Sequence, residues 1–294
     1  NDLIDEKNVF PLELNTMPGW AGSSWYFYRY MDSNNKDSFA SKDAIEYWQR
    51  IDLYLGGSEH ATGHLLYSRF YQKFLFDLNI LPVNEYASKL INQGMILGNS
   101  SFIYRERGTN NFYSKNLIKN KKVDKIRIDI SYVDIENKLD IDNLKNSNKS
   151  FSDSEFYLEN GSFIVEREHE KMSKSKFNVV NPDDICDQYG ADTLRMYEMF
   201  LGPIEQAKPW STRGISGVYS FLKKFWNLFF LNGEFQVSKD SPSDESLKIL
   251  NQTIKKVSND IEKFSLNTCI SSFMICINKL SEEKCNSESV LGPL

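Results

Sequence analysis

Ile51-Asp52-Leu53-Tyr54-Leu55-Gly56-Gly57-Ser58-Glu59-His60 is the stretch whose reading decides the fold. Ile51 to Leu55 alternates as a buried strand does, and Gly56 and Gly57 permit a sharp turn. From Thr62 to Leu78, the apolar residues Leu65, Leu66, Phe70, Phe74 and Leu78 recur at helical spacing. Strand, glycine turn and helix in that order predict a doubly wound α/β sheet, in which ligands bind where strands end and helices begin. Free amides at such a turn suit an anion or a nucleotide, and the Glu59 carboxylate can accept hydrogen bonds from ribose hydroxyls. His60 and His64 stand four apart, hence on one helical face, a spacing that also suits a metal. Only His169 remains to complete such a site and no cysteine is near, so a ligand pocket is expected and no metal.

Before this stretch, Met17-Pro18-Gly19-Trp20-Ala21-Gly22-Ser23-Ser24-Trp25-Tyr26-Phe27-Tyr28-Arg29-Tyr30 interleaves small residues with aromatics. Trp20, Ser23 and Tyr26 recur every third position, which on a helical turn lines one side of a cavity; ordinary core packing is the alternative. Ser41 is placed to cap a short helix ending near Arg50. Tyr54, Trp48, Trp210 and Arg195 are read as structural.

After it, composition changes. From about Asn99 to Arg167 the chain is rich in Asn, Lys and Ser, with strand-like alternation over Lys125-Ile126-Arg127-Ile128-Asp129-Ile130, which predicts a small inserted β-rich module. Asn181 as N-cap, Pro182 at the first helical position and Asp183 and Asp184 in the first turn mark a helix, and another follows Gly190. Beyond Pro209 the pattern is wholly helical. Three stripes stand out: Val218, Phe221, Leu222, Phe225 and Leu228; Leu247, Leu250, Ile254, Val257, Ile261 and Phe264; and Ile270, Phe273, Ile277 and Leu280. These are expected to be bundle helices, with a polar linker at Ser241-Pro242-Ser243.

Between the inserted module and the capped helix lies Lys171-Met172-Ser173-Lys174-Ser175. Two mobile ammonium groups with neighbouring hydroxyls on a short loop suit a polyphosphate. A solvated lysine loop is the plain alternative for five such residues taken alone.

A length of 294 residues that are 40% hydrophobic and 14% aromatic allows a substantial core and two or three domains. The formal charge is only -5, so an RNA partner would have to be met by local patches. Cys186, Cys269, Cys276 and Cys285 show no Cys-x-x-Cys spacing and are read as free, mostly buried thiols of a cytoplasmic protein. No run of about 18 apolar residues and no signal-peptide layout occurs, which argues against membrane insertion. The chain starts at Asn1 rather than Met and ends at Gly292-Pro293-Leu294, and is read as a fragment.

Taken together, Met17 to Tyr30, Tyr54 to Tyr67 with its Gly-Gly-x-Glu-His-x-x-x-His pattern, Lys171 to Ser175, and Tyr189 to Phe200 resemble bacterial leucyl-tRNA synthetase, a class I aminoacyl-tRNA synthetase. The resemblance runs to about Leu280 and is weakest over 99–167. It implies the second half of a Rossmann-like catalytic domain (1–98), a leucine-specific-type insertion (99–168), the lysine-loop region (169–211) and part of an α-helical anticodon-binding bundle (212–294). It also implies site roles. Lys171 and Lys174 would act in catalysis, with Lys174, Met172, Ser173 and Ser175 on the triphosphate. Gly56, Gly57, Glu59 and His60 would lie on adenosine, and Trp20, Ser23, Tyr26, His60 and His64 on leucine. Trp20 departs from the commoner Phe. ATP as substrate, magnesium accompanying it, leucine and tRNA(Leu) are the implied partners, in a monomeric cytoplasmic enzyme. The family's His-Ile-Gly-His-type element cannot be drawn from histidines at 60, 64 and 169, and no editing domain is seen, so this chain alone is expected to be inactive. A non-catalytic tRNA-binding remnant, or an isoleucyl, valyl or methionyl enzyme, are the competing readings.

Overall fold

The structure is a computed structural model that describes Met17 and residues 19–294. Residues 1–16 of the expected first segment, and Pro18 of its aromatic stretch, lie outside the described residues. The chain divides into two compact units, Asn1–Gln93 and Gly94–Leu294.

In the first unit, helices α1 (Tyr26–Met31), α2 (Lys42–Trp48) and α3 (Leu66–Asp77) accompany strands β1 (Tyr54–Gly57) and β2 (Leu90–Gln93). β1 and β2 pair in parallel, Tyr54 opposite Leu90 and Gly57 opposite Gln93. The Ser41 hydroxyl accepts from the Ala44 amide, so the expected cap forms, and its helix ends at Trp48. Two expectations shift. The strand starts at Tyr54 and runs through both glycines, and Leu55 in it is exposed, since its side chain and that of Tyr54 point to opposite faces. On α3 the apolar stripe is not the buried one: Leu66, Phe70, Phe74 and Leu78 are exposed while Ser68, Gln72 and Leu75 are buried.

The reason is a set of hydrogen bonds from distant sequence. Gln72 accepts from the Tyr28 hydroxyl and donates to the Val83 carbonyl, and Ser68 meets the Tyr86 hydroxyl. Burial of the Tyr28 phenol, against which the Gln72 bond works, pushes its pKa up to about 12. Phe27, Tyr28, Ala40, Ile45, Leu75, Leu81 and Tyr86 form the core of this unit.

The second unit is built on a six-stranded sheet. Its strands are β3 (Ile96–Glu106), β4 (Asn111–Tyr113), β5 (Val123–Ile128), β6 (Glu155–Tyr157), β7 (Glu166–Lys171) and β8 (Lys208–Pro209), with helix α4 (Ile141–Ser147) between β5 and β6. Strand β3 is the hub. It pairs antiparallel with β4, β5 and β7 and in parallel with β8. Ile103, Phe112, Ile128, Leu144, Phe163 and Val165 fill the core beneath it; each fully buried apolar side chain of this size contributes about 1.5–3 kcal/mol.

Helices α5 (Pro182–Tyr189) and α6 (Ala191–Phe200) follow β7, then α7 (Thr212–Phe229), α8 (Asp244–Glu262), α9 (Leu266–Glu282) and the short α10 (Glu288–Leu291). The stretch expected to be wholly helical is interrupted after α7, where Phe230–Leu231 and Glu234–Phe235 pair antiparallel around Asn232 and Gly233, both at positive φ. Asn181 caps α5 through the Asp183 amide, as expected, and Gly190, at φ 86°, ends α5 and starts α6. On α7, Val218 is buried, and on α9 Ile270, Ile277 and Leu280 are buried, in line with their stripes. On α8 the stripe is half right. Leu250 and Val257 are buried, but Leu247, Ile254 and Ile261 are exposed, because the buried face is rotated to Ser246, Ile249, Thr253 and Asp260. Asp260 tolerates burial by accepting from Lys256 and from the Thr268 hydroxyl. All four cysteines are free, and Cys269, Cys276 and Cys285 are buried.

Candidate active site

In the first unit the glycine turn is shaped by what sits on it. A Cβ on Gly57 would fall 2.2 Å from a carboxylate oxygen of Glu59, which folds back over the Gly57 backbone, whereas a Cβ on Gly56 would meet nothing within 4 Å. Glu59 also lies 3.9 Å from His60 Nε2. After β1 the chain passes through a 3-10 turn (Ser58–His60) and a π-helical turn (Ala61–Leu65) before α3 begins. The wide π turn brings Gly63 under the indole of Trp20, where an added Cβ would stand 2.8 Å from the ring, and Trp20 leans on Tyr67 with ring centroids 6.1 Å apart.

His64 enters a hydroxyl chain. Tyr26 Oη and Tyr54 Oη are 2.7 Å apart, and Tyr54 Oη lies 2.6 Å from His64 Nε2. Burial, and secondly the neighbouring His60, lowers the His64 pKa, which favours a neutral ring. Neutral His64 can then accept from Tyr54, and Tyr54 from Tyr26. Burial, together with the Tyr26 hydroxyl, pushes the Tyr54 phenol far above its ordinary range, so it serves as a neutral donor.

The structure therefore groups Tyr26 and His64 around Tyr54, a residue read from sequence as structural. Ser23 turns back to its own turn, donating to the Trp20 carbonyl at 2.9 Å. A cavity of about 400 Å³ opens on Tyr26 and Tyr54, with Tyr30, Met31, Trp48 and Ile51 also in its wall; Trp20, Ser23, His60 and His64 do not line it. Trp48, also read as structural, is 56% exposed.

In the second unit, β7 delivers Lys171 to the lysine loop. Met172 packs among Ile96, Val180 and the α5–α6 core, anchoring the loop's apolar side. Asn178, with no exposed surface, ties the loop down. Its Oδ1 accepts from the Ser173 amide at 2.9 Å, and its Nδ2 donates to Ser100 Oγ at 3.0 Å and to the Lys171 carbonyl at 3.4 Å. Gly98 makes this approach possible, since a Cβ there would lie 2.4 Å from the Asn178 carbonyl oxygen.

Between these anchors Lys174–Lys176 forms a single 3-10 turn, closed by Phe177 in the left-handed conformation at φ 51°. Ser173 and Ser175 hydroxyls meet at 3.1 Å, and Lys176 is held by Glu170 at 3.2 Å. Lys171 and Lys174 are exposed and form no ion pair among the described residues. Two mobile ammonium groups on a pinned backbone can follow a polyphosphate without deforming their support. Asn178, Ser100 and Gly98 are the functional supports that sequence reasoning missed, and nothing local announces them, because Ser100 lies 78 positions from its partner.

Residues 155–211, which contain this loop, match the family described as tRNA synthetases class I (I, L, M and V). The whole chain aligns with the leucine–tRNA ligase of Flavobacterium johnsoniae at 59% identity, and 99% of it with that of Christiangramia forsetii, also at 59%. The chain aligns along its length with one segment of these leucine–tRNA ligases. It spans 31% of the first relative's length and 30% of the second's. A solved LeuRS from Agrobacterium radiobacter K84, in ternary complex with tRNA and LeuAMS, superimposes with a TM-score of 0.55 at 24% identity, over 89% of this chain and 26% of that one. That likeness carries the fold: a class I synthetase-like mixed α/β architecture with several sheets and helices. Among the described residues no helix is long and apolar enough to cross a membrane.

Proposed function

We propose that this segment supplies the ATP-phosphate loop, the adenosine-binding strand end and part of the leucine pocket of a leucine–tRNA ligase. The observation that carries the reading is the loop itself: Lys171 and Lys174 exposed on a backbone pinned through Asn178 to Ser100. In the whole enzyme the leucine carboxylate attacks the α-phosphorus of ATP, forming the acyl phosphate bond and expelling pyrophosphate. A terminal ribose hydroxyl of tRNA(Leu) then attacks the adenylate carbonyl, releasing AMP.

The first step needs little covalent help. Alignment and charge stabilisation do most of it, which is the work of Lys171, Lys174 and the hydroxyls of Ser173 and Ser175. Met172 holds the loop's buried side. Gly56, Gly57, Glu59 and His60 take the adenosine, Glu59 through the ribose hydroxyls. Trp20, Ser23, Tyr26, His60 and His64 face leucine. Magnesium travels with the triphosphate; the loop offers ammonium groups and hydroxyls but no carboxylate, so phosphate oxygens are its natural donors. Residues 212–294 serve as part of the anticodon-binding bundle, in a monomeric cytoplasmic enzyme.

The test is leucine-dependent ATP–pyrophosphate exchange and tRNA charging by the whole enzyme, with leucine, isoleucine, valine and methionine compared. Leucine is the expected substrate, and Lys174→Ala is expected to lower exchange by about 10²-fold or more. Preference for another amino acid would overturn the assignment. Robust exchange by the 294-residue chain alone would overturn the expectation that this chain by itself is inactive.

A further inference from the structure

Strand β7 reads Glu166-Arg167-Glu168-His169-Glu170-Lys171, so the pleat sends three glutamates to one face and Arg167, His169 and Lys171 to the other. The glutamate face is neutralised. Lys125 lies 3.8 Å from Glu166 and 2.5 Å from Glu168, and Glu170 is held by Arg127 at 2.5 Å and Lys176 at 3.2 Å. The opposite face is not, for neither Arg167 nor Lys171 has an ion pair among the described residues, and His169 has none either.

A cavity of about 530 Å³ opens on that basic face, with Arg167, His169, Arg213, Asn99, Thr212 and Asp134 in its wall. Arg167 donates through Nη2 to the carbonyls of Asp134 at 2.7 Å and Val133 at 3.5 Å, while its shielded Nε has no acceptor among the described residues. Asp134 is the one carboxylate in that wall, and its Oδ1 is already occupied by the Glu136 and Lys138 amides, both at 2.8 Å. Arg213, at the start of α7, spends one nitrogen on the Ile135 carbonyl at 3.3 Å, and the rest of its fork has no hydrogen-bond partner among the described residues. Arg167, a partly buried guanidinium whose direct contacts are carbonyls and whose nearest carboxylate, Asp134, makes no ion pair with it, is only partly compensated: burial lowers its pKa and the Asp134 charge offsets part of that.

We infer that this cavity is an oxyanion site that takes a phosphate group, gripped by Arg167 and Arg213 with His169 also in its wall. Bidentate forks suit phosphate oxygens, and a volume several times that of the ion leaves room for the ester to which it belongs. The source is either a phosphodiester of RNA or free phosphate.

The experiment titrates the 294-residue chain, carrying isotope-labelled histidine, with inorganic phosphate in one arm and a six-nucleotide oligouridylate in the other. His169 is identified among the three histidines by comparison with His169→Gln. A saturable shift of the His169 ring signal is expected in at least one arm, and the arm in which it saturates names the source. The midpoint should rise at least tenfold in Arg167→Gln and in Arg213→Gln, and change less than twofold in Lys125→Gln on the opposite face. Arg213 is exposed, so its variant carries the test if loss of the more buried Arg167 prevents folding. No saturable shift in either arm, or an unchanged midpoint in Arg213→Gln, overturns the site. Neither ATP nor leucine enters this measurement, so its outcome is separate from that of pyrophosphate exchange.

Discussion

Replacing Asn178 by alanine should detach the lysine loop without touching a lysine. The side chain makes three hydrogen bonds, to the Ser173 amide, Ser100 Oγ and the Lys171 carbonyl, from a position with no exposed surface. A typical hydrogen bond contributes about 0.5–1.5 kcal/mol net, and a buried group left unpaired costs about 1–3 kcal/mol. Ser100, wholly buried, loses this donor but keeps the Glu170 carboxylate, so the loss comes mainly from the three broken bonds and should be about 2–4 kcal/mol. Urea unfolding of the chain reads this directly, and hydrogen exchange at the Ser173 amide should lose protection in step. Lys174→Ala is the contrast. Its side chain is exposed and unpaired among the described residues, so stability should change by less than about 0.5 kcal/mol. In the whole enzyme both variants should lose pyrophosphate exchange, one through a slack backbone and the other through a missing charge. An Asn178→Ala loss below about 0.5 kcal/mol, with Ser173 protection intact, would refute the claim that Asn178 holds the loop.

Other consequences are as direct. Gly57→Ala is allowed by a backbone φ of -76° but displaces the Glu59 carboxylate; folding should change by less than about 1 kcal/mol while KM for ATP rises in the whole enzyme. Tyr54→Phe removes the hydroxyl between Tyr26 and His64 and should cost about 1–3 kcal/mol in chemical denaturation, with a larger effect on KM for leucine than on kcat. Arg69, and then Lys73, hold the Glu85 carboxyl at a pKa of about 2, below its ordinary 4.5. A carboxylate depressed on folding contributes stability above its unfolded pKa that is lost as pH falls. The stability gap between the native chain and Glu85→Gln should therefore be full above about pH 4.5 and close on descent towards pH 2, as urea midpoints across that range would show. The group is more than one-third exposed, so solvent screening limits the gap to about 1 kcal/mol.

What could be read from sequence was what is decided locally. The caps at Ser41 and Asn181 formed as expected because each bond spans only two or three residues. The lysine loop was legible for the same reason, whereas the glycines expected to turn the chain form the end of β1, paired with Asn92 and Gln93 of β2. Helix faces were not. The periodicity on α3 is real, yet it marks the exposed side, because Tyr28, Val83 and Tyr86 reach Gln72 and Ser68 from outside the helix. On α8 a one-residue rotation of the buried face exposes Leu247, Ile254 and Ile261 while Asp260 goes inside with two partners. A hydrophobic pattern states that one side will be covered, and only the partner decides which.

The candidate site divides along the same line. The groups that would meet substrate, Lys171, Lys174 and Glu59, are visible as residue types because their chemistry requires them. The groups that position them are visible only in three dimensions: Tyr54 between Tyr26 and His64, Asn178 on Ser100, and Gly98 cleared for the Asn178 backbone. Strand β7 shows how far pattern alone can go. Its alternating charges fix, by the pleat, that acids and bases part to opposite faces, but not that Lys125 and Arg127 of β5 satisfy the acids. Once that pairing is known, the bases on the other face are left to find an anion of their own, and the lysine loop continues from the end of that same strand.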